Sequence, residues 1–308
     1  MVRRMSSGEH SEHDLWKSIL ILEGVDKGPV LLELSQLAFE KAQYLRSLTL
    51  AESARDVYLE ASDELGYAES LVSMAFSLFS LERFNYAISA LELAVDSYQK
   101  CYNSQEWEYR EYLSTWYRSR GDMKEAINQL EICLENYSYE EDGLGIAKLE
   151  SKLAYLECEG GACVKAMERL VNAKLIYKNK KDPFMVAEID MAIARCHNHL
   201  GDWLTAQTFA ISAIAVFDSC NKTNQKRANA YTQLGWAMVG LNEYQRALES
   251  LEKAHSLIIG FSPADLQVIH SIQEIKVLAL RGLERFAEAE LVESMHSLIG
   301  ETLNASTA

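Results

Sequence analysis

Proline is almost missing from this chain: there are three in 308 residues, Pro29, Pro183 and Pro263. Each stands at the head of an apolar stretch. Asp182-Pro183 and Ser262-Pro263 read as an N-cap and first helical position, where a missing N–H costs nothing. Few prolines and few glycine-rich turns argue against an all-β chain. Long apolar runs are absent as well. No segment approaches the roughly 18 consecutive apolar residues of a membrane span. Met-Val-Arg-Arg-Met at the start, followed by polar residues, lacks the apolar stretch of a signal peptide. The six cysteines (Cys101, Cys133, Cys158, Cys163, Cys196, Cys220) show no paired spacing. They are expected as small buried hydrophobes in a reducing compartment, so the expected location is cytoplasmic. Basic charge is in short supply, with 30 Lys and Arg against 45 Asp and Glu and a net charge of −15. Duplex nucleic acid and anionic membranes are therefore poor partners. What remains, 48% hydrophobic and 24% charged, is the balance of a globular protein.

Chemistry-bearing constellations are also scarce. Cys196-His-Asn-His199 lies in a helical stretch, where only residues three or four apart share a face. His197 should fall on the packing side and His199 on the open side, so the two cannot chelate together. Cys158 and Cys163 have no second pair nearby and span a turn. Structural cysteine is the simpler reading than a site joining Cys158 to His199. Gly143-Leu-Gly145 follows a helix and an acidic loop, has no third glycine or P-loop lysine, and reads as a linker turn. Lys178-Asn-Lys-Lys181 suits the end of a helix, where positive charge meets the dipole. No catalytic residue, cofactor or metal is expected.

A repeat organises the rest. Gly121-Asp-Met-Lys-Glu-Ala126, Gly201-Asp-Trp-Leu-Thr-Ala206, Leu241-Asn-Glu-Tyr-Gln-Arg-Ala247 and Leu283-Glu-Arg-Phe-Ala-Glu-Ala289 share one pattern. A turn is followed by an aromatic or methionine and, three residues on, by alanine. Aligned on that alanine, the series runs Ala54, Ala87, Ala126, Ala166, Ala206, Ala247, Ala289, with steps of 33, 39, 40, 40, 41 and 42. Apolar or small residues recur four and seven places after the anchor, as in Leu91 and Ala94 or Leu170 and Ala173. That spacing puts them on one helical stripe. Upstream, a second helix carries Leu71-Met74-Ala75-Leu78 or Tyr231-Leu234-Gly235-Met238 at similar offsets. Each unit is therefore helix A, a short turn and helix B.

This pattern resembles the tetratricopeptide repeat family. Tyr231, Leu234, Gly235, Met238, Ala247, Leu251 and Ala254 match its packing positions in order, and Gly201-Asp202-Trp203 and Gly121-Asp122 match its inter-helix turn. The spacing near 40 is similar to the longer repeats of kinesin light chains and Rap-type peptide-sensing regulators. The resemblance implies an all-α, right-handed superhelical solenoid of about seven helix pairs. A capping helix should precede it over Glu12–Leu22, with Leu15, Trp16, Ile19 and Leu22 buried. The expected domain runs from 12 to 301, between a disordered tail over 1–11 and a frayed end over 302–308. The first unit lacks the turn glycine, and the last has Glu293 and His296 where small or apolar residues belong, as terminal repeats do.

The resemblance also implies a groove lined by helix A, at eleven and eight residues before each anchor. Counting back gives Gln43 and Arg46, Phe76 and Phe79, Thr115 and Arg118, Tyr155 and Cys158, Arg195 and Asn198, Trp236 and Val239, Leu278 and Arg281, with His199 beside the row. Phe76, Phe79, Tyr155 and Trp236 alternate there with Arg118, Arg195 and Arg281. Aromatic and arginine side chains make binding hot spots. The expected groove set is thus Phe76, Phe79, Arg118, Tyr155, Arg195, Asn198, His199, Trp236 and Arg281. An acidic peptide with apolar anchors is the natural guest. The competing reading packs Phe76 and Trp236 between helices and pairs the arginines with nearby glutamates. The family's carboxylate clamp is not visible, since Val72, Glu111, Ser151, Met191 and Thr232 hold its positions. The expected function is a non-catalytic adaptor or scaffold that binds a protein or peptide, with homodimerisation through terminal units as a variant. The alternative is a Rap-like, peptide-switched regulator, although the roughly 30 residues before the first unit show no effector motif.

Overall fold

A computed structural model of the chain describes residues 11–101, 106–136, 143–220, 224–258, 263–294 and 297. The chain forms two compact units, Met1–Cys133 and Leu134–Ala308. Among the described residues no strand occurs, and the elements are helices joined by tight turns.

The first unit opens with α1 (Glu12–Ile21) and a 3-10 turn (Gly24–Asp26). Then follow α2 (Lys27–Glu40) with α3 (Tyr44–Glu60), α4 (Glu64–Ser80) with α5 (Phe84–Lys100), and α6 (Glu106–Arg120) with α7 (Met123–Asn136). Ser11, the last residue of the expected tail, caps α1 by accepting from the Asp14 N–H at 3.3 Å. The rest of that tail, and the expected frayed end over 302–308, lie outside the described residues. Only Leu15 of the expected apolar face of α1 is fully buried. Trp16 is exposed, with the Arg46 guanidinium 5.8 Å from its ring centre. Arg46 and Lys41 both reach Glu12, at 2.5 Å each, beside the packing of Leu15 and Ile19 on the first pair.

The second unit contains α8 (Gly143–Glu159) with α9 (Cys163–Asn179), α10 (Pro183–Leu200) with α11 (Trp203–Ser219), and α12 (Asn224–Gly240) with α13 (Tyr244–Ser256). Beyond these come α14 (Pro263–Gly282) and a helical stretch over 286–294. Asp182 caps α10 by accepting from the Met185 N–H at 3.0 Å, with Pro183 in the first turn. Ser262, the expected cap of α14, lies outside the described residues. Gly143-Leu-Gly145 is the first turn of α8 and not a linker.

One turn recurs between the helices of each pair. The residue five places before the anchor takes a left-handed φ: Glu82 (60°), Gly121 (90°), Gly161 (84°), Gly201 (76°), Asn242 (61°) and Glu284 (61°). The next residue caps helix B, and its carbonyl accepts the anchor's N–H, as Asp202 does for Ala206 at 3.0 Å. Every alanine anchor is buried to 1% or less. Small residues let helices A and B cross closely there, and overpacking would cost about 1–3 kcal/mol.

This turn corrects the first unit. Its left-handed residue is Ala42, φ 56°, and the Gln43 carbonyl accepts the N–H of Ser47 at 2.9 Å. The anchor is therefore Ser47, 40 residues before Ala87, and the apparent step of 33 disappears. Ala51 and Ala54 follow Ser47 at the usual offsets of four and seven, and all three are 0% exposed. Gln43 and Arg46 thereby lose their helix-A positions, since both lie at the start of helix B. Serine at the anchor has a use. Ser35 Oγ donates to the Ser47 carbonyl at 2.8 Å and lies 2.8 Å from Ser73 Oγ, while Ser47 Oγ lies 2.9 Å from Ser77 Oγ. A hydroxyl seam thus joins α2, α3 and α4.

Aromatic residues three places before the anchor close successive pairs. Trp203 covers Gly240 and Tyr244 covers Gly282, where an added Cβ would fall 2.1 Å and 2.5 Å from the ring. Between α8 and α9, Arg169 spans two buried acids. Its Nη1 donates to Glu150 and its Nε to Glu157, each at 2.9 Å, and Lys165 also reaches Glu157 at 2.9 Å.

Candidate functional site

The second unit holds a cavity of about 670 Å³ on its A helices. Tyr155 of α8, Arg195 and His199 of α10, Trp236 of α12, and Glu274 and Leu278 of α14 line it. Helix A turns one stripe to its own helix B, so residues eleven and fifteen places before the anchor fall on the other side. This places Arg195, Trp236 and Leu278 in one turn and Met191, Thr232 and Glu274 in the turn above, all on the wall.

The Arg195 guanidinium lies 3.9 Å from the centre of the Tyr155 ring. That contact is attractive through the ring quadrupole and leaves the fork of donors in plane. Its Nε finds no hydrogen-bond partner among the described residues. The other cation of the wall, Lys226, is held by Glu188 at 3.1 Å. His199 meets the edge of Trp236, with centroids 4.8 Å apart and planes at 80°. Burial, followed by the nearby Arg195 charge, holds His199 below the ordinary imidazole value of 6.5, with Glu274 opposing. Its ring is therefore neutral at pH 7. An aromatic floor, an incompletely bonded arginine and a neutral imidazole make a site that can receive a carboxylate beside an apolar group.

Four of the expected groove residues, Tyr155, Arg195, His199 and Trp236, thus meet. Asn198 does not join them. It is 1% exposed, and its Nδ2 donates to the Gln233 carbonyl at 3.0 Å and to Gln233 Oε1 at 3.1 Å. The offset of eight that selected it points at α12, and its role is to tie α10 to that helix. Arg281 is exposed and paired with Glu293 at 2.6 Å, away from the lining. Phe76, Phe79 and Arg118 belong to the first unit. Phe79 stacks on Trp116 at 4.6 Å and meets Phe84 at 5.1 Å. Phe76 meets the edges of Tyr112 and Trp116 at 5.0 and 5.4 Å. Both phenylalanines are half-buried and pack between α4 and α6. Arg118 is half-buried and also engaged. Glu274 of the cavity was missed from the sequence, and with Met191 and Thr232, named there only as positions of the absent carboxylate clamp, it sits one helical turn above the chosen row. That periodicity was the available signal.

The helical spacing separates the two histidines as expected. His197 stacks on Phe209, centroids 5.9 Å apart, and pairs with Asp202 at 3.1 Å. Cys158, Cys163 and Cys196 are buried together, with the first two sulfurs 3.4 Å apart. A hydrogen bond with Cys196 and burial push the Cys158 thiol up, and burial pushes Cys163 up to about 11. Both are thiols at neutral pH and poor nucleophiles. Among the described residues, no three His, Cys, Asp or Glu side chains are placed to hold a metal ion, and no helix is long and apolar enough to cross a membrane.

Residues 185–258, spanning α10 to α13, match the family model of the tetratricopeptide repeat. No curated protein is significantly similar in sequence. Solved structures share the fold at low identity. A tetratricopeptide repeat protein from Parabacteroides merdae is 11% identical with a TM-score of 0.62, over 91% of this chain and 99% of that one. Aspartyl phosphate phosphatase F from Bacillus subtilis is 11% identical with a TM-score of 0.65, over 93% and 74%. A Rap protein complexed with competence and sporulation factor is 15% identical with a TM-score of 0.54, over 96% and 98%. The fold is that of the helical solenoids built from tetratricopeptide repeats.

Proposed function

We propose that this protein is a non-catalytic interaction module of the cytoplasm whose second unit holds an acidic segment of another polypeptide. A carboxylate of the guest pairs with Arg195, and a neighbouring apolar side chain lies against Trp236 and Leu278. The observation that carries this reading is Arg195 itself, spread on Tyr155 on the wall of a cavity of about 670 Å³. Arginine binds carboxylates through charge-assisted hydrogen bonds, and aromatic neighbours supply the buried area of a hot spot. Asn198 supports the site through Gln233. Phe76, Phe79 and Arg118 offer contacts in the first unit, and Arg281 flanks the second.

The test is affinity capture from the source cell, comparing wild type with a folded Arg195→Glu, Trp236→Ala double variant. A partner kept by wild type and lost by the variant supports the reading, and a partner kept equally by both refutes it. A peptide-switched regulator is the second reading, favoured by fold similarity along 96% of the chain to a Rap protein complexed with competence and sporulation factor. It requires compaction in solution scattering on peptide addition. An unchanged radius at saturation removes it.

A further inference from the structure

The residue sixteen places before the anchor alanine is a buried charge in three successive pairs: Arg110, Glu150 and Asp190. Two of the three are neutralised. Glu150 receives Arg169, three places after its own anchor, at 2.9 Å, and Asp190 is reached by Lys174. Arg110 differs. Gln129 stands where Arg169 stands in the next pair, so its partner across the crossing is a neutral amide. Arg110 Nη1 donates to Gln129 Oε1 at 2.9 Å, and its buried Nε has no partner among the described residues. No carboxylate among them pairs with this guanidinium, although the residue is only 8% exposed. A buried charge without a counter-charge lowers stability, and its presence asks for a partner from elsewhere.

Arg110 lies on the wall of a cavity of about 450 Å³ in the first unit. That volume falls within the roughly 300–1,000 Å³ of small-ligand sites. Glu92, Leu93 and Asp96 of α5 line it together with Arg110 and Leu113 of α6 and Gln129 of α7. Tyr117 donates to Glu92, while Asp96 is exposed and unpaired among the described residues. One cavity thus holds a cation and two carboxylates that do not pair with it. A guest carrying both charges would span that separation. We infer that the cavity binds a free α-amino acid with an apolar side chain. Its carboxylate takes the donors of Arg110. A guanidinium only donates, so Gln129 turns its carbonyl to Arg110 and keeps its NH2 as a second donor for the guest. The ammonium is received by Asp96 and Glu92, and the side chain lies against Leu93 and Leu113. A plain anion would satisfy Arg110 but meet two carboxylates, and a plain amine would satisfy these but meet Arg110. A zwitterion meets neither repulsion.

Titration calorimetry on the full chain tests this, with leucine, valine, methionine and phenylalanine as probes. Wild type should bind at least one of them with a dissociation constant below about 1 mM. For leucine, two truncated probes separate the charges, since isocaproate lacks the ammonium and isoamylamine lacks the carboxylate. Each should bind at least about 10-fold more weakly than leucine. Arg110→Gln should weaken amino-acid binding by a similar factor, with circular dichroism confirming that the variant folds. Asp96→Asn should weaken it too, and this exposed site leaves the fold untouched. Absence of heat from all four amino acids at about 10 mM, tenfold above that constant, overturns the inference. So does binding that both substitutions leave unchanged, which would place it elsewhere. Isocaproate binding as tightly as leucine also overturns it, because the site would then take a plain anion.

Discussion

Replacing Arg169 by leucine would strand two acids. In the native protein its guanidinium bonds Glu150 and Glu157 at 2.9 Å each, and the side chains of these acids are only 8% and 2% exposed. Arg169 is itself only 15% exposed, so solvent screens the pair weakly. Breaking a buried ion pair from one side costs about 3–5 kcal/mol, because the remaining charge keeps its desolvation penalty. Two features lower the figure here. Lys165 still reaches Glu157 at 2.9 Å, and leucine fills part of the vacated volume. The expected loss is therefore about 3 kcal/mol. In urea unfolding followed by circular dichroism, a slope of roughly 1–3 kcal/mol/M turns this into a midpoint shift of about 1 M or more. Adding Glu150→Gln and Glu157→Gln should recover most of the loss, because neutral amides need no counter-charge. A loss below about 1 kcal/mol, or one that the two glutamines leave unchanged, would refute the reasoning.

The repeated left-handed turn makes a paired prediction. Gly121→Ala should lower the melting temperature through backbone strain of about 1 kcal/mol, because nothing lies within 4 Å of the added Cβ. Glu82→Gly should raise it slightly, relieving similar strain less the roughly 0.5–1 kcal/mol of extra chain entropy that glycine brings. Equal effects of one sign would refute the shared turn. His199 supplies the pH prediction. Burial and Arg195 hold its folded value below 6.5, so its share of stability is complete above pH 6.5 and lost as pH falls towards the folded value. Proton NMR should find its midpoint below 6.5, and Arg195→Gln should move the midpoint up. A midpoint at or above 6.5 in the native protein contradicts the site's electrostatics.

The fold was legible because its main constraint is local. Small residues at the helix crossing and a tight turn before them recur in the sequence as they do in space, so Ala87 to Ala289 identify their helices without help. Ser47 escaped because a hydroxyl served where alanine was expected, and Ala54, two turns along the same stripe, imitated the anchor. The groove was legible only by the turn. Arg195 and Trp236 lie where the offset of eleven puts them, but the offset of eight fails at Asn198, whose face is covered by α12. Which A-helix side chains stay open depends on the next helix over. Phe76 and Phe79 show the same limit, since their stacking partners Tyr112 and Trp116 come from about 40 residues downstream.

The serine seam in the first unit has a consequence for mechanics. An apolar contact between helices is forgiving, since one methyl can replace another as the helices slide. A hydroxyl contact is not. Ser35 sits 3.0 Å from Ser47 Oγ and 2.8 Å from Ser73 Oγ, so a shift of α2 by one turn would break both contacts together. The seam acts as a detent: between α2, α3 and α4 it allows one setting and resists the intermediate ones.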